Sequence, residues 1–126
     1  MMFKDIKAFS GYSVRDIAES LHFYGVVLGL QISRPMDQLL LHIAGGAEVF
    51  LYRKPNHQPA TFTVLNFPVA NLEQAMKELK GRGVDFIIYD QDGFKTDEEG
   101  VFQGEGPKIA WFTDPSGNIL SVLEEE

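Results

Sequence analysis

The stretch VRDIAESLHFYGVVLG (residues 14–29) reads as a helix with both ends marked, and it recurs in altered form as VANLEQAMKELKGRG (residues 69–83). In the first copy Asp16 and Glu19 make a D-x-x-E capping pattern, Asp16 accepting an orphan helix N–H while Glu19 reaches back. Ile17, Leu21, Tyr24 and Leu28 repeat at helical spacing, and Gly29 stops the helix. In the second copy Asn71 opens the helix with Gln74 as its box partner, and Leu72, Ala75, Met76 and Leu79 form the apolar face. Setting Val14 on Val69 places Asp16 on Asn71 and Leu21 on Met76, and it brings Gly29 and Gly83 within one residue of register.

The flanks repeat as well. IKAFSGYSV (6–14) and TFTVLNFPV (61–69) are strand-like runs that lead into the two helices. After the first helix come LQISRPM and then LLLHIA and EVFLYRK, two apolar runs that form a hairpin through Gly45 and Gly46. After the second come VDFIIY, KIAWFT, a DPSGN turn and ILSVLE. Each half therefore reads β-α-β-β-β. The fold class is α+β, an internal duplication of about 55 residues, with half-units 1–54 and 61–126 joined by a proline-bearing linker at 55–60. A small sheet with one helix has one covered face, so the other face calls for the sister half, a second subunit or a ligand.

Composition narrows the partners. The chain has 126 residues, 44% apolar and 12% aromatic, which suits one compact globular domain. Eleven basic against eighteen acidic residues give a net charge of −7, a field that repels nucleic-acid phosphates and attracts cations. MMFKDIKAFSGY alternates rather than running apolar, and nowhere do about 18 apolar residues stand together, so the expectation is a cytoplasmic protein that binds neither nucleic acid nor membrane. With no cysteine, a metal would need His, Asp or Glu.

With these elements in place, VRDIAESLHFYGVVLGL (14–30) and WFTDPSGNILSVLE (111–124) carry a resemblance to the glyoxalase, bleomycin-resistance and extradiol-dioxygenase superfamily, the vicinal oxygen chelate fold. The D-x-x-x-S-x-x-F-Y-x-x-x-L-G and D-P-x-G-N signatures mark the fold well and the activity poorly. The resemblance implies two tandem βαβββ units forming a curved mixed sheet with a concave cavity, commonly paired as a homodimer.

In the superfamily's metal enzymes the resemblance implies a His, Gln or Glu on the first strand of each half and usually a Glu on the last. The first-strand positions, five residues before Val14 and Val69, are Phe9 and Val64 here. The last-strand position, four residues after Gly117, is Ser121, and its first-half equivalent falls near Phe50. None of the four side chains is a metal ligand of the expected kind. Glu48 and His42 could serve a metal only under a different register, in which Glu48 shares a strand face with Phe50 and Tyr52.

The other candidates weaken on inspection. His42 reads as a core or edge residue, His22 as water-facing beside the helix stripe, and His57, between two prolines, as a surface residue. No G-x-S-x-G elbow surrounds Ser10, Ser13, Ser20 or Ser121, and QGEGPKI lacks a strand-to-helix context for phosphate. DQDGFKTDEEG (90–100) fails as a calcium loop, with Phe94 and Lys95 where a donor and a glycine belong. Residues 90–107 read as a mobile, solvated loop, a lid or a plain excursion, with Phe94 and Phe102 as anchors. Glu124 to Glu126 read as a solvated end.

The cavity that remains is apolar and aromatic: Phe9, Phe50, Tyr52, Val64 and Trp111, with Ser13, Asn66 and Ser121 as polar points. The expected function is a metal-independent protein that holds a small organic ligand, aromatic or cationic, with no cofactor. One alternative is a metal-dependent enzyme resembling glyoxalase or an extradiol dioxygenase, a lyase, isomerase or dioxygenase with a divalent metal. The other is a non-catalytic interaction module.

Overall fold

A computed structural model describes residues 2–125 and contains two compact units, Met1–Gln58 and Pro59–Glu126. The architecture is mixed α+β with two four-stranded mixed sheets, as the vicinal oxygen chelate fold requires. No helix among the described residues is long and apolar enough to cross a membrane.

The first unit runs β1 (Ser10–Val14), α1 (Ile17–Leu21), β2 (Gln31–Ser33), β3 (Leu39–His42) and β4 (Glu48–Arg53). Its sheet has the order β1-β4-β3-β2, with β1 parallel to β4 and the other pairs antiparallel. Leu39, Leu41, Val49 and Leu51 point to one face and are buried. Tyr12 reaches from that face to the helical segment, where its hydroxyl lies 2.8 Å from that of Tyr24.

The helix itself departs from expectation in two ways. It is α-helical only to Leu21 and continues as a widened π-type turn over His22–Val27, in which Phe23 and Tyr24 are both buried with rings edge to face at 5.1 Å. Asp16 does cap the first turn, its Oδ1 accepting the Glu19 N–H at 2.9 Å. The Glu19 carboxylate, however, turns sideways to Arg15, whose Nε donates to it at 2.5 Å, so the reciprocal half of the box is not made. An oppositely charged neighbour on the same face outcompetes a neutral backbone N–H for the carboxylate.

The second unit runs β5 (Thr63–Val69), α2 (Leu72–Gly81), β6 (Asp90–Gln91), β7 (Phe94–Lys95), β8 (Val101–Phe102), β9 (Ile109–Thr113) and β10 (Ile119–Glu124). Its four-stranded sheet has the order β5-β10-β9-β8, the topology of the first sheet repeated, with β5 parallel to β10. Asn71 caps α2, its Oδ1 accepting the Gln74 N–H at 2.9 Å. Leu72 and Met76 of the helix are buried, as are Ala110, Phe112, Leu120 and Val122 of the sheet. Glu124 is not part of a solvated end: it is half-buried, and its Oε1 accepts the Leu72 N–H at 3.2 Å, a second cap on α2. Glu125 is exposed, and Glu126 lies outside the described residues.

Two further expectations need correction. VDFIIY is not a strand; Phe86 makes a single bridge to Phe112, and the Ile87 N–H bonds the Trp111 carbonyl at 2.8 Å. The outer edge of β9 is divided between this segment and β8, which pairs Val101 with Ala110 and Phe102 with Ile109, so neither covers its whole length. Residues 90–107 are also not structureless, because β6 and β7 pair as a short hairpin and β8 joins the sheet.

The DPSGN turn closes on itself through Asp114. Its Oδ1 accepts the N–H groups of Ser116 and Asn118 at 2.9 and 2.8 Å, and its Oδ2 accepts from Asn118 Nδ2 at 3.0 Å. Asp114, Ser116 and Asn118 are all buried, so the carboxylate satisfies donors that water cannot reach. Gly117 sits at φ 84°, where a side chain is strained, and Pro59 Cγ would lie 3.2 Å from an added Cβ. Gly29 and Gly83 end the two helical segments at φ 76° and 92°.

Candidate functional site

The registers of the two sheets place the key positions without reference to any other protein. In the first sheet Val14 pairs with Arg53 and Gly11 with Phe50. In the second Val69 pairs with Glu124 and Asn66 with Ser121. Counting back three residues from the terminal pair in each sheet reaches Phe50 and Ser121, so these two residues are structural equivalents. Phe9 stands one residue before β1 and Val64 is the second residue of β5, each five before the valine that ends its strand.

In the first unit, Gly11, Ser13, Leu40, Phe50 and Tyr52 share the face turned away from the buried leucines, because strand side chains alternate. The Phe9 ring meets Phe50 edge to face at 6.4 Å, and Phe50 stacks on Tyr52 at 6.0 Å with 23° between planes. Phe9 is 64% exposed. Gly11 keeps the floor of this ladder low, since a Cβ there would lie 3.0 Å from the Phe50 carbonyl oxygen. Ser13 Oγ lies 2.6 Å from His57 Nδ1, so the half-buried His57 is a tethered residue of this face and not the plain surface histidine expected between its prolines.

In the second unit, Trp111 and Ser121 are directly paired and so share a face, with Asn66 paired to Ser121 on its other side. Ser121 is fully buried and donates its hydroxyl hydrogen to Asn66 Oδ1 at 2.5 Å. Trp111 Nε1 donates to Thr63 Oγ1 at 3.1 Å. Around the indole stand Tyr89, Phe94 and Phe102, with ring centroids 5.5, 5.2 and 6.2 Å away. Phe94 and Phe102 stack on each other at 5.3 Å, so the anchors expected of the 90–107 segment are packed onto the tryptophan. Burial pushes the Tyr89 phenol above its usual range. Tyr89 escaped the sequence reading because only long-range contacts bring it to Trp111.

The donor set at the four equivalent positions does not fit a divalent metal. Phe9, Phe50 and Val64 offer no lone pair, and the Ser121 hydroxyl is engaged by Asn66. Among the described residues, no three His, Asp or Glu side chains are grouped to hold an ion. Glu48 and His42 do lie side by side, paired across β3 and β4 on the Phe50 face, with His42 Nδ1 3.6 Å from Glu48 Oε2. They are two groups, not a coordination sphere, and the other His42 nitrogen faces Ser33 Oγ at 2.5 Å. His22 is exposed.

A groove of about 490 Å³ opens elsewhere on the second unit, beside α2, lined by Leu72, Met76, Lys77, Lys80, Lys108 and Glu124 among others. It contains none of the residues expected in the cavity and lies on the helix side of the sheet, whereas Trp111 and Ser121 occupy the other side.

With fold and site described, the comparisons with known proteins can be placed. The family model for the glyoxalase/bleomycin resistance protein/dioxygenase superfamily matches residues 8–122. The chain belongs to this superfamily. A search of curated protein sequences returns no match. Among solved structures, a superfamily member from Sphaerobacter thermophilus DSM 20745 is 22% identical with a TM-score of 0.70, covering 95% of this chain and 98% of its own. TnmS3, an antibiotic binding protein from Streptomyces sp. CB03234, is 18% identical at a TM-score of 0.69, covering 97% and 98%. FosX, a fosfomycin resistance protein from Listeria monocytogenes, is 12% identical at 0.70, covering 94% and 92%. At these identities the superfamily likeness is one of fold, and the chemistry must come from this chain's own residues.

Proposed function

We propose that this superfamily member is a metal-independent small-molecule binding protein whose ligand is an aromatic or cationic organic compound. The observation that carries the proposal is the equivalence of Phe50 and Ser121, which puts an aromatic ring and an engaged hydroxyl where the superfamily's metal enzymes place carboxylates. In the first unit Phe50 and Tyr52 supply flat apolar surface for stacking and Ser13 an orienting polar group; in the second, Asn66 supplies a polar group on the face of the buried Trp111. The net charge of −7 draws a cation toward rings that can hold it by cation–π attraction. An antibiotic binding protein among the fold relatives is in keeping with this reading.

Metal analysis after exhaustive dialysis, followed by titration of Trp111 fluorescence with a panel of cationic aromatic antibiotics, tests it. The expected result is substoichiometric metal and saturable quenching by at least one compound. Stoichiometric nickel, zinc, manganese or iron would overturn it and favour the enzyme reading. We further propose that the protein is a homodimer, for which gel filtration at the mass of two chains is the check.

A further inference from the structure

We infer that Ser33, His42 and Glu48 form a nucleophilic triad that hydrolyses small esters with an apolar acyl group. The three residues sit on consecutive strands, β2, β3 and β4, and the hairpin registers bring them together. Ser33 Oγ lies 2.5 Å from His42 Nε2, and Glu48 Oε2 lies 3.6 Å from His42 Nδ1. Serine on one imidazole nitrogen and carboxylate on the other is the arrangement that activates a hydroxyl. At 3.6 Å the carboxylate stands just beyond hydrogen-bond distance from the imidazole, a looseness common in substrate-free sites.

The surroundings define the substrate. Ser33, Leu40, Phe50 and Gly11 form one row across the sheet, and His42 and Glu48 stand in the next. Strand spacing puts Phe50 roughly 10 Å from Ser33. An acyl group lying over Leu40 and Phe50 therefore presents its carbonyl at Ser33. β2 is the edge of its sheet, so its outward N–H groups are free of ladder bonds and can meet the developing oxyanion. The segment after Ser33 is pinned, with Met36 and Asp37 at φ 51° and 62° and Arg34 donating to the carbonyls of Asp37 and Gln38.

In the reaction, Ser33 Oγ attacks the ester carbonyl while His42 Nε2 takes its proton. The tetrahedral adduct collapses to an acyl-serine, and the alcohol leaves with that proton. Water then attacks the acyl-serine and gives a proton to His42, which returns it to Ser33 Oγ as the acyl–oxygen bond breaks and the carboxylic acid leaves.

The test uses the intact protein with diisopropyl fluorophosphate and p-nitrophenyl butyrate. The expected results are a single phosphoryl adduct mapped to Ser33, lost in Ser33→Ala and in His42→Ala, and ester hydrolysis reduced about 100-fold by Ser33→Ala. An adduct on another residue, an adduct on Ser33 unaffected by His42→Ala, or hydrolysis unchanged in Ser33→Ala would overturn the inference. Ser33 is exposed and His42 half-buried, and circular dichroism checks that both variants keep the fold. Trp111 quenching measured in Ser33→Ala separates this inference from the binding reading, since ligand binding there is expected to persist.

Discussion

Ser121 gives its hydroxyl hydrogen to Asn66 Oδ1 at 2.5 Å while being fully buried beneath the face that carries Trp111. The bond ties β10 to β5 through side chains as well as through the backbone ladder. It also spends the only donor atom that the chain places at the four positions associated with metal in this superfamily.

Replacing Ser121 tests that arrangement directly. Ser121→Ala should cost about 1 kcal/mol, the worth of one hydrogen bond whose acceptor can recover water. Ser121→Glu should cost at least about 3 kcal/mol, because a carboxyl is forced into a fully buried site without a partner. Urea denaturation gives both values. Restoring the acid alone should create no zinc or nickel site, since Phe9, Phe50 and Val64 remain, and calorimetric titration with either metal checks this.

The DPSGN turn should be the least replaceable loop of the second unit. Asp114 accepts hydrogen bonds from the Ser116 and Asn118 N–H groups and from Asn118 Nδ2, and Asp114→Ala removes all of these. A loss of about 3 kcal/mol is expected, lower than three full penalties because the turn can open to water. Asp114→Asn keeps the oxygen that takes two backbone N–H groups and should recover about half. Thermal or urea unfolding of both variants provides the comparison.

How far the sequence revealed this structure depended on range. Phe9, Val64 and Ser121 could be placed from spacing because each lies a few residues from a local landmark, the strand-ending valines and Gly117, whereas Phe50 has no such landmark and could be placed only to within about a residue. The caps at Asp16 and Asn71 were legible for the same reason. VDFIIY misled because an alternating apolar run looks the same whether it pairs along its length or, as here, touches β9 at Phe86 and Ile87 only. Glu124 as a cap on Leu72, Tyr89 beside Trp111, and Ser33 beside His42 had no spacing signal at all. Each joins residues that only the folded sheet brings together.

Asp97 predicts a pH response confined to acid conditions. Donation from the Val101 backbone N–H is the largest influence holding its carboxyl below the usual 3.8, with the Glu99 and Gly100 backbone and the Lys80 charge acting the same way against desolvation. A depressed carboxyl contributes stability that is present above the unfolded value and lost as pH falls through the folded one. The turn at Asp97–Val101 should therefore keep its full protection above pH 3.8 and lose it as pH falls further, through the depressed folded value. The Val101 and Glu99 amide resonances should report a shared titration, and Asp97→Asn should abolish it.

Phe94 is the ring on which the aromatic cluster of the second unit depends, since it touches Tyr89, Phe102 and Trp111 with centroids at 5.0, 5.3 and 5.2 Å. Phe94→Ala should destabilise by about 1–2 kcal/mol, because the ring is only half-buried but belongs to three aromatic pairs. Trp111 emission should shift to the red as water reaches the indole. If the cluster also forms part of the ligand surface, the affinity of any compound that quenches Trp111 should fall about tenfold, the equivalent of one lost stacking contact. Emission unchanged in Phe94→Ala would show that the hairpin of β6 and β7 does not shield the tryptophan in solution.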